Sequence, residues 1–308
     1  MSQTQILPRE IVESARRRNR NTKITNLFLL LTSSVAFISI MVIVGSLALE
    51  SSIFFSAVPV SEFLTGTEWS VLFSEKKFGV LPLLTATAIT SAIALVVAVP
   101  AGLATAIYLS EYARPSVRRP LKSIIELLAG IPTVVYGYFA LYFIAPNLLR
   151  PLIPGLGIHS ALAVGLMIGV LIIPIVSSLS EDAMYSVPED FRQAAYALGA
   201  RKIDVVFRVI LPASLSGILA SIILAFTRAM GETMIAAIAG GFRVVMSFDP
   251  RESMETMTAF IAQVATGDAP HGTIEYQSIF AVGLVLFIIT MIFNLVALAI
   301  VRRWQIRY

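Results

Sequence analysis

Apolar residues in this chain gather into long runs separated by short polar segments. The runs cover residues 24–49, 80–110, 121–145, 160–180, 213–240 and 278–301. Each reaches the ~20 residues that a helix needs to cross a bilayer, so six spans are expected. The first run is longer than the apolar core of a cleaved signal peptide, about 7–15 residues, so a retained first span is predicted. This gives a basic tail at 1–23, a first transmembrane helix at 24–49 and a periplasmic loop at 50–79. A five-helix core follows at 80–301, broken by a polar loop at 181–212, and 302–308 form the C-terminus.

Charge sets the orientation. With the N-terminus in the cytoplasm, 17 of the 23 Lys and Arg residues fall in inside segments, five fall outside, and one, Arg228, lies within a span. Positive residues accumulate on the cytoplasmic side, so both termini and the 181–212 loop are expected there. Arg16, Arg17, Arg18, Arg20 and Lys23 of the tail read as an orientation signal in contact with membrane lipid. The net charge of +4 is therefore a matter of topology and not of nucleic-acid binding. Composition agrees: 57% of residues are hydrophobic, 14% are charged and mean hydropathy is +0.83, the range of an integral membrane protein. The absence of cysteine removes disulfides and thiolate chemistry, and His159 and His271, far apart, do not suggest a metal site.

Two outer segments differ in character. Residues 50–79 are acidic and aromatic, whereas 241–277 are longest and contain a helical stretch at Met254–Val264. The longer one either receives an extracellular partner or plugs the gap between spans.

The 181–212 loop carries a polar, helix-favouring stretch at 189–200. Ser186-x-x-Glu189 has capping-box spacing, and Pro188 suits a first turn. Gly199 suits the left-handed residue that ends a helix. A short amphipathic helix between spans has no core of its own, so it lies on lipid or docks on a partner.

No GxxxxGK[ST], GxSxG or HExxH motif and no paired catalytic carboxylates occur, so an enzyme is not expected. Arg228 and Glu232 are the exceptions to the apolar rule of the fifth run. Four residues apart, they share a helix face, and charges inside a membrane normally face a bundle interior or a watery path. Two readings stand: a salt bridge that locks helices, or a guanidinium fork offered to a passing anion with Glu232 limiting how long it stays. Gly231 between them would leave room for close approach. Thr227, Thr233, Thr87 and Ser91 are further candidates for the same path, although hydroxyls also serve helix packing. Glu126 is expected to pair with Lys122 at the inner end of the third run. Gly130-Ile131-Pro132 and Gly137 interrupt that run, and broken backbone at such depth must be buried or line a cavity.

Gln193-Ala194-Ala195-x₃-Gly199-x₉-Val209-Ile210-Leu211-Pro212 resembles the EAA loop of ABC-transporter permeases, with Gln193 in place of the family's Glu and Val209 in place of its Ile. Leu128–Gly137, Arg228–Met234 and Thr256–Ala262 are similar to the PstC-type permeases of phosphate-specific ABC importers. The resemblance covers about residues 78–301. It implies an all-α membrane protein, with six transmembrane helices of the type I, MetI-like permease fold and a cytoplasmic coupling helix. It implies a path through Arg228 and Glu232, and ATPase contacts at Glu189, Arg192, Gln193, Ala194, Ala195, Leu198 and Gly199. The implied partners are a homologous PstA-type permease, two copies of a PstB-type ATPase that holds ATP and Mg, and a PstS-type phosphate-binding protein. This chain itself would bind no cofactor. Competing readings are the PstA-type sister subunit, a permease for molybdate, sulfate or phosphonate, and an ion-coupled anion carrier. The last should show an internal repeat with broken helices in both halves, and no clear repeat is present.

Overall fold

The computed structural model describes the backbone of residues 9–71, 75–267 and 269–304. The basic side chains of the tail and residues 305–308 lie outside the described residues. Two units are distinguished, 1–50 and 51–308. The first consists of the leading part of one continuous helix, α1 (Arg9–Ala57), whose stretch Thr25–Ala57 is long and apolar enough to cross a membrane.

Among its described residues the second unit is built of helices joined by loops, and its only strand-like pairing is the bridge between Trp69 and Phe78. Its main elements are α2 (Val60–Thr65), α3 (Leu81–Ile107), α4 (Pro115–Ala129), α5 (Thr133–Phe139), α6 (Ala161–Tyr185), α7 (Glu189–Ala197), α8 (Leu211–Met230), α9 (Met257–Thr266) and α10 (Ile274–Trp304). Four stretches of this unit pass the length and hydropathy test for a span: Leu81–Tyr112, Ala161–Tyr185, Lys202–Met230 and Ile274–Arg303. With Thr25–Ala57 these make five, and the bent pair described next brings the number to six if it is counted as one span.

The third run differs from its sequence reading. Residues 121–145 do not form one helix: α4 and the helical stretch Thr133–Leu152 meet at 84°. The break falls at Gly130-Ile131-Pro132, where Pro132 takes an extended ψ of 134° and starts α5. None of the residues of α4 is buried, and its Arg, Lys and Pro residues occupy the first half while Ile124, Leu127 and Leu128 follow. An amphipathic helix at a steep angle to a span has the geometry of one lying along a membrane surface.

The central packing is α3 against α6, through small residues. A Cβ at Gly165 would sit 2.6 Å from Ile93, at Gly169 2.8 Å from Val97, and at Gly102 2.7 Å from Val176. Apolar side chains gain little from leaving lipid for protein, so close backbone approach and dispersion contacts must supply helix association. Gly165-x-x-x-Gly169 provides that approach. Within 51–71 and 75–80, Phe54, Phe63, Trp69 and Phe78 form an aromatic knot in which they are buried and meet edge to face, with Trp69 against Phe260 of α9 at 4.9 Å. Such pairs contribute about 0.5–1.5 kcal/mol beyond burial.

Candidate functional site

α8 is the end of the apolar stretch Lys202–Met230, and it stops at Gly231. Helical structure resumes at residue 234 and closes with a wide turn at Ala236–Gly240. The interruption covers residues 231–233, so Glu232 lies within it and Arg228 lies on the last turn of α8. Arg228 Nη1 donates to Glu232 Oε2 at 2.6 Å. The other oxygen, Glu232 Oε1, accepts from the Ile235 N–H at 3.4 Å and so serves the open start of the next helical piece. The partners are unequally placed: the Glu232 side chain is 2% exposed, that of Arg228 39%. The bond to Glu232 engages one of the five N–H donors of a guanidinium, and the accessible part of the fork can take up an anion. A Cβ at Gly231 would meet nothing closer than 3.6 Å, so close approach does not require glycine there.

Other hydroxyls sort into two groups. Thr233 is half-buried and donates to Gly231 O at 3.4 Å, and Thr227 reaches Ile223 O at 3.0 Å and Asn294 Oδ1 on α10 at 3.2 Å. Thr227 adjoins Arg228 in the chain and Thr233 adjoins Glu232. Thr87 and Ser91 are buried. Thr87 donates to Leu83 O and accepts the N–H of Met257 at 3.0 Å, which makes it a clamp on the start of α9. Ser91 Oγ is buried with no partner. Thr87 is thus engaged in helix contacts, whereas Ser91 makes none.

The start of α9 supplies residues that the sequence reading gave no role. Thr258 Oγ1 donates to Glu232 O at 2.8 Å, Thr256 and Thr258 hydroxyls lie 3.1 Å apart, and Thr256 caps α9 by accepting from Ala259 N–H. Asn294 was also missed. An amide inside an otherwise apolar run is a visible signal, and it was the available clue.

The 181–212 segment forms a second constellation. α7 starts after Pro188, which has no capping side-chain bond, and Ser186 Oγ donates back to Ala183 O. The expected capping box is therefore not made. Gly199 has φ +79° with nothing within 4 Å of an added Cβ, so its constraint is backbone handedness alone. Glu189, Gln193, Ala194 and Leu198 are exposed, Leu198 to 89%, while Ala195 is half-buried. Arg192 points the other way. Its Nη1 donates to Val187 O at 2.6 Å, and its Nη2 donates to Met184 O at 2.9 Å and Glu111 Oε1 at 3.0 Å. It fastens α7 to the end of α6 and to the wide turn Tyr108–Tyr112, so it is not free for the docking contact assigned to it from sequence.

Lys122 also departs from expectation. Its Nζ lies 2.6 Å from both Glu181 Oε2 and Asp182 Oδ1, and Arg118 Nε donates to the fully buried Glu181 at 2.6 Å. Glu126 instead accepts from Ser178 Oγ at 3.3 Å. A carboxylate buried in α6 draws the cations of α4 more strongly than an exposed neighbour on the same helix.

A family model described as "Binding-protein-dependent transport system inner membrane component" matches residues 98–306. The chain is 32% identical to the probable ABC transporter permease protein YqgH of Bacillus subtilis, over 84% of this chain and 83% of that one. It is 34% identical to the phosphate transport system permease protein PstC of Mesorhizobium japonicum, over 80% and 79%. Against the PstC of Xylella fastidiosa strain 9a5c identity is 31%, over 92% and 93%. Among solved structures, the fold is similar to a bacterial ABC transporter involved in the import of the acidic polysaccharide alginate, with a TM-score of 0.62 at 15% identity over 94% and 99% of the two chains. It is also similar to the MetNI methionine ABC transporter, with a TM-score of 0.55 at 18% identity over 73% and 94%.

Proposed function

Because this chain belongs to the family of binding-protein-dependent transport system inner membrane components, we propose that it is the permease subunit of an ATP-driven importer of inorganic phosphate. The observation that carries the reading is the guanidinium of Arg228, held at one N–H by Glu232 at a helix break and accessible over the rest. A planar cationic fork in an apolar surround matches a tetrahedral oxyanion, and the partial neutralisation by Glu232 keeps binding weak enough for release. Relatives named for phosphate transport support the choice of oxyanion.

In this reading both termini and the 181–212 loop face the cytoplasm, as the distribution of Lys and Arg favours. A homologous PstA-type permease encloses the path from the other side, and a PstS-type binding protein delivers phosphate to the outer segments. Two PstB-type ATPase subunits hold ATP and Mg²⁺ and perform the hydrolysis. α7 seats on one of them through its exposed face, where Ala194 permits close contact and Leu198 supplies apolar area. Arg192 joins α7 to α6 and to the wide turn that follows α3, so movement of the ATPase is passed to the spans without slack.

Purification of the tagged chain from native membranes tests this directly. An ATPase subunit and a second permease are expected to copurify, and binding protein loaded with phosphate should raise the ATPase rate of the reconstituted complex. Phosphate uptake by this chain alone in vesicles, with no nucleotide-hydrolysing subunit, would refute the proposal.

A further inference from the structure

It is the polar face of α4, not its apolar one, that is turned toward the protein. Lys122 Nζ reaches Glu181 and Asp182, Arg118 Nε donates to Glu181, and Glu126 accepts from Ser178. The Arg118 guanidinium also lies 4.0 Å from the centre of the Tyr185 ring. These partners all belong to the closing stretch 178–185 of α6, the level at which a span leaves the hydrocarbon. At the other end of α4, Tyr136 Oη donates to Leu128 O at 2.8 Å across the break, so the helix is held in place from both sides.

The rest of α4 finds no partner in this chain. Val117, Leu121, Ile124 and Leu128 recur at i, i+4, i+7 and i+11 and so line one face, with Leu127 at its edge. Leu121 is half-buried, but Val117, Ile124, Leu127 and Leu128 are exposed, Leu127 to 72%. The guanidinium groups of Arg119 and of Arg114, which precedes α4, are exposed and meet no carboxylate among the described residues. Arg118 and Lys122 are offset by Glu181 and Asp182, so Arg114 and Arg119 carry the uncompensated positive charge.

Arg119 also lines a cavity of about 760 Å³ that opens between α4, the wide turn Tyr108–Tyr112 and Tyr185. Its volume falls within the ~300–1,000 Å³ of small-molecule sites. Ser110, Ser123 and Glu126 line it as well, and Arg114 stands in the chain between two further wall residues, Ala113 and Pro115. An occupant therefore meets free guanidinium groups, then hydroxyls and a carboxylate, with an apolar stripe on the same helix. A phosphodiester suits the guanidinium fork, headgroup hydroxyls can donate to Glu126, and acyl chains suit the exposed stripe. Helices that lie in a membrane interface bind through just this sum of apolar area and attraction to anionic lipid.

We infer that α4 and this cavity form a binding site for an anionic phospholipid with a hydroxylated headgroup, of the phosphatidylglycerol type. The phosphate is taken by Arg114 and Arg119, and the chains lie along Val117, Ile124 and Leu127. The site stands apart from Arg228 and does not depend on which ion is transported.

The full chain, purified with the subunits that accompany it, is titrated with phosphatidylglycerol bearing a diazirine in its acyl chain. Cross-links are then mapped by mass spectrometry. Saturable labelling of residues 115–129 is expected, and phosphatidylcholine with the same chains should need at least about tenfold more lipid. R114Q/R119Q removes no contact within the protein, so the same subunits should copurify with it. Its half-saturation for phosphatidylglycerol should rise about 25-fold, at roughly fivefold for each cation near an anionic headgroup. Inorganic phosphate should compete no better than potassium chloride of equal ionic strength. Displacement by phosphate beyond that of chloride would make the cavity a site for a soluble anion and overturn the lipid assignment. Equal labelling by the two lipids, or an unchanged R114Q/R119Q, would reduce α4 to an unselective contact with the bilayer. Absence of any label on 115–129 would mean that another protein chain covers the apolar face, which also overturns the site.

Discussion

Arg192 and Arg228 are both tied to a glutamate, yet their surroundings differ. Arg192 gives its N–H groups to two backbone carbonyls and to Glu111, with 11% of the side chain exposed. Arg228 engages one carboxylate oxygen and keeps 39% of its side chain accessible. The first guanidinium is consumed by the fold; the second retains unengaged, accessible donors. For a charge in a membrane protein, the number of donors left over separates a fastener from a binding group better than depth or neighbouring carboxylates do.

Replacing Arg192 by Ala attacks the fastener and should have the largest effect. It leaves Glu111, 6% exposed, without its cation and removes a donor from the Val187 and Met184 carbonyls, and loss of one partner of a buried pair costs about 3–5 kcal/mol. Thermal unfolding of the purified chain in detergent should drop well below the parent; an unchanged midpoint would place Arg192 on the docking surface after all.

Glu255 sharpens the contrast, as a buried acid with no arginine beside it. Its carboxyl is pushed from 4.5 up to about 8 by burial. The native state therefore holds a proton that the unfolded chain has released between those pH values. Stability from this group is fully present below 4.5 and declines by roughly 1.4 kcal/mol per pH unit until about 8. E255Q should flatten that slope, read as melting temperature against pH. A parent slope that E255Q reproduces would rule Glu255 out as its source.

Gly199→Val is expected to have a smaller energetic cost, on the order of 1–2 kcal/mol for a side chain held in the left-handed region. There is space for the side chain, so the effect should show in coupling, as ATP hydrolysis without uptake. Gly199→Asn, which tolerates that region, should stay close to the parent; equal loss in both would implicate bulk instead of handedness.

Long-period features were legible in the sequence: six apolar runs, the break at Gly130-Ile131-Pro132 and the left-handed Gly199 each follow from composition and local geometry. Partner choice was not. Lys122 sits one turn from Glu126, and local spacing predicted their pairing, but the buried Glu181 on α6 takes the cation because an unpaired carboxylate at that depth would be far more costly. The direction of Arg192 was hidden for the same reason, since its acceptors are backbone carbonyls and a glutamate 81 residues earlier. That the break turns α4 by 84° away from the following helix was not legible, because Ile124, Leu127 and Leu128 carry the apolar run backwards across it.

The central claim is that Arg228 offers its fork to the transported ion. R228Q/E232Q removes both charges and leaves neither buried alone, so assembly and stability are preserved while the fork is lost. In proteoliposomes holding the complete transporter, phosphate uptake by this double variant should fall by about a hundredfold, ~2.7 kcal/mol of lost stabilisation, with ATPase subunits still bound. Uptake at the parental rate would contradict the account.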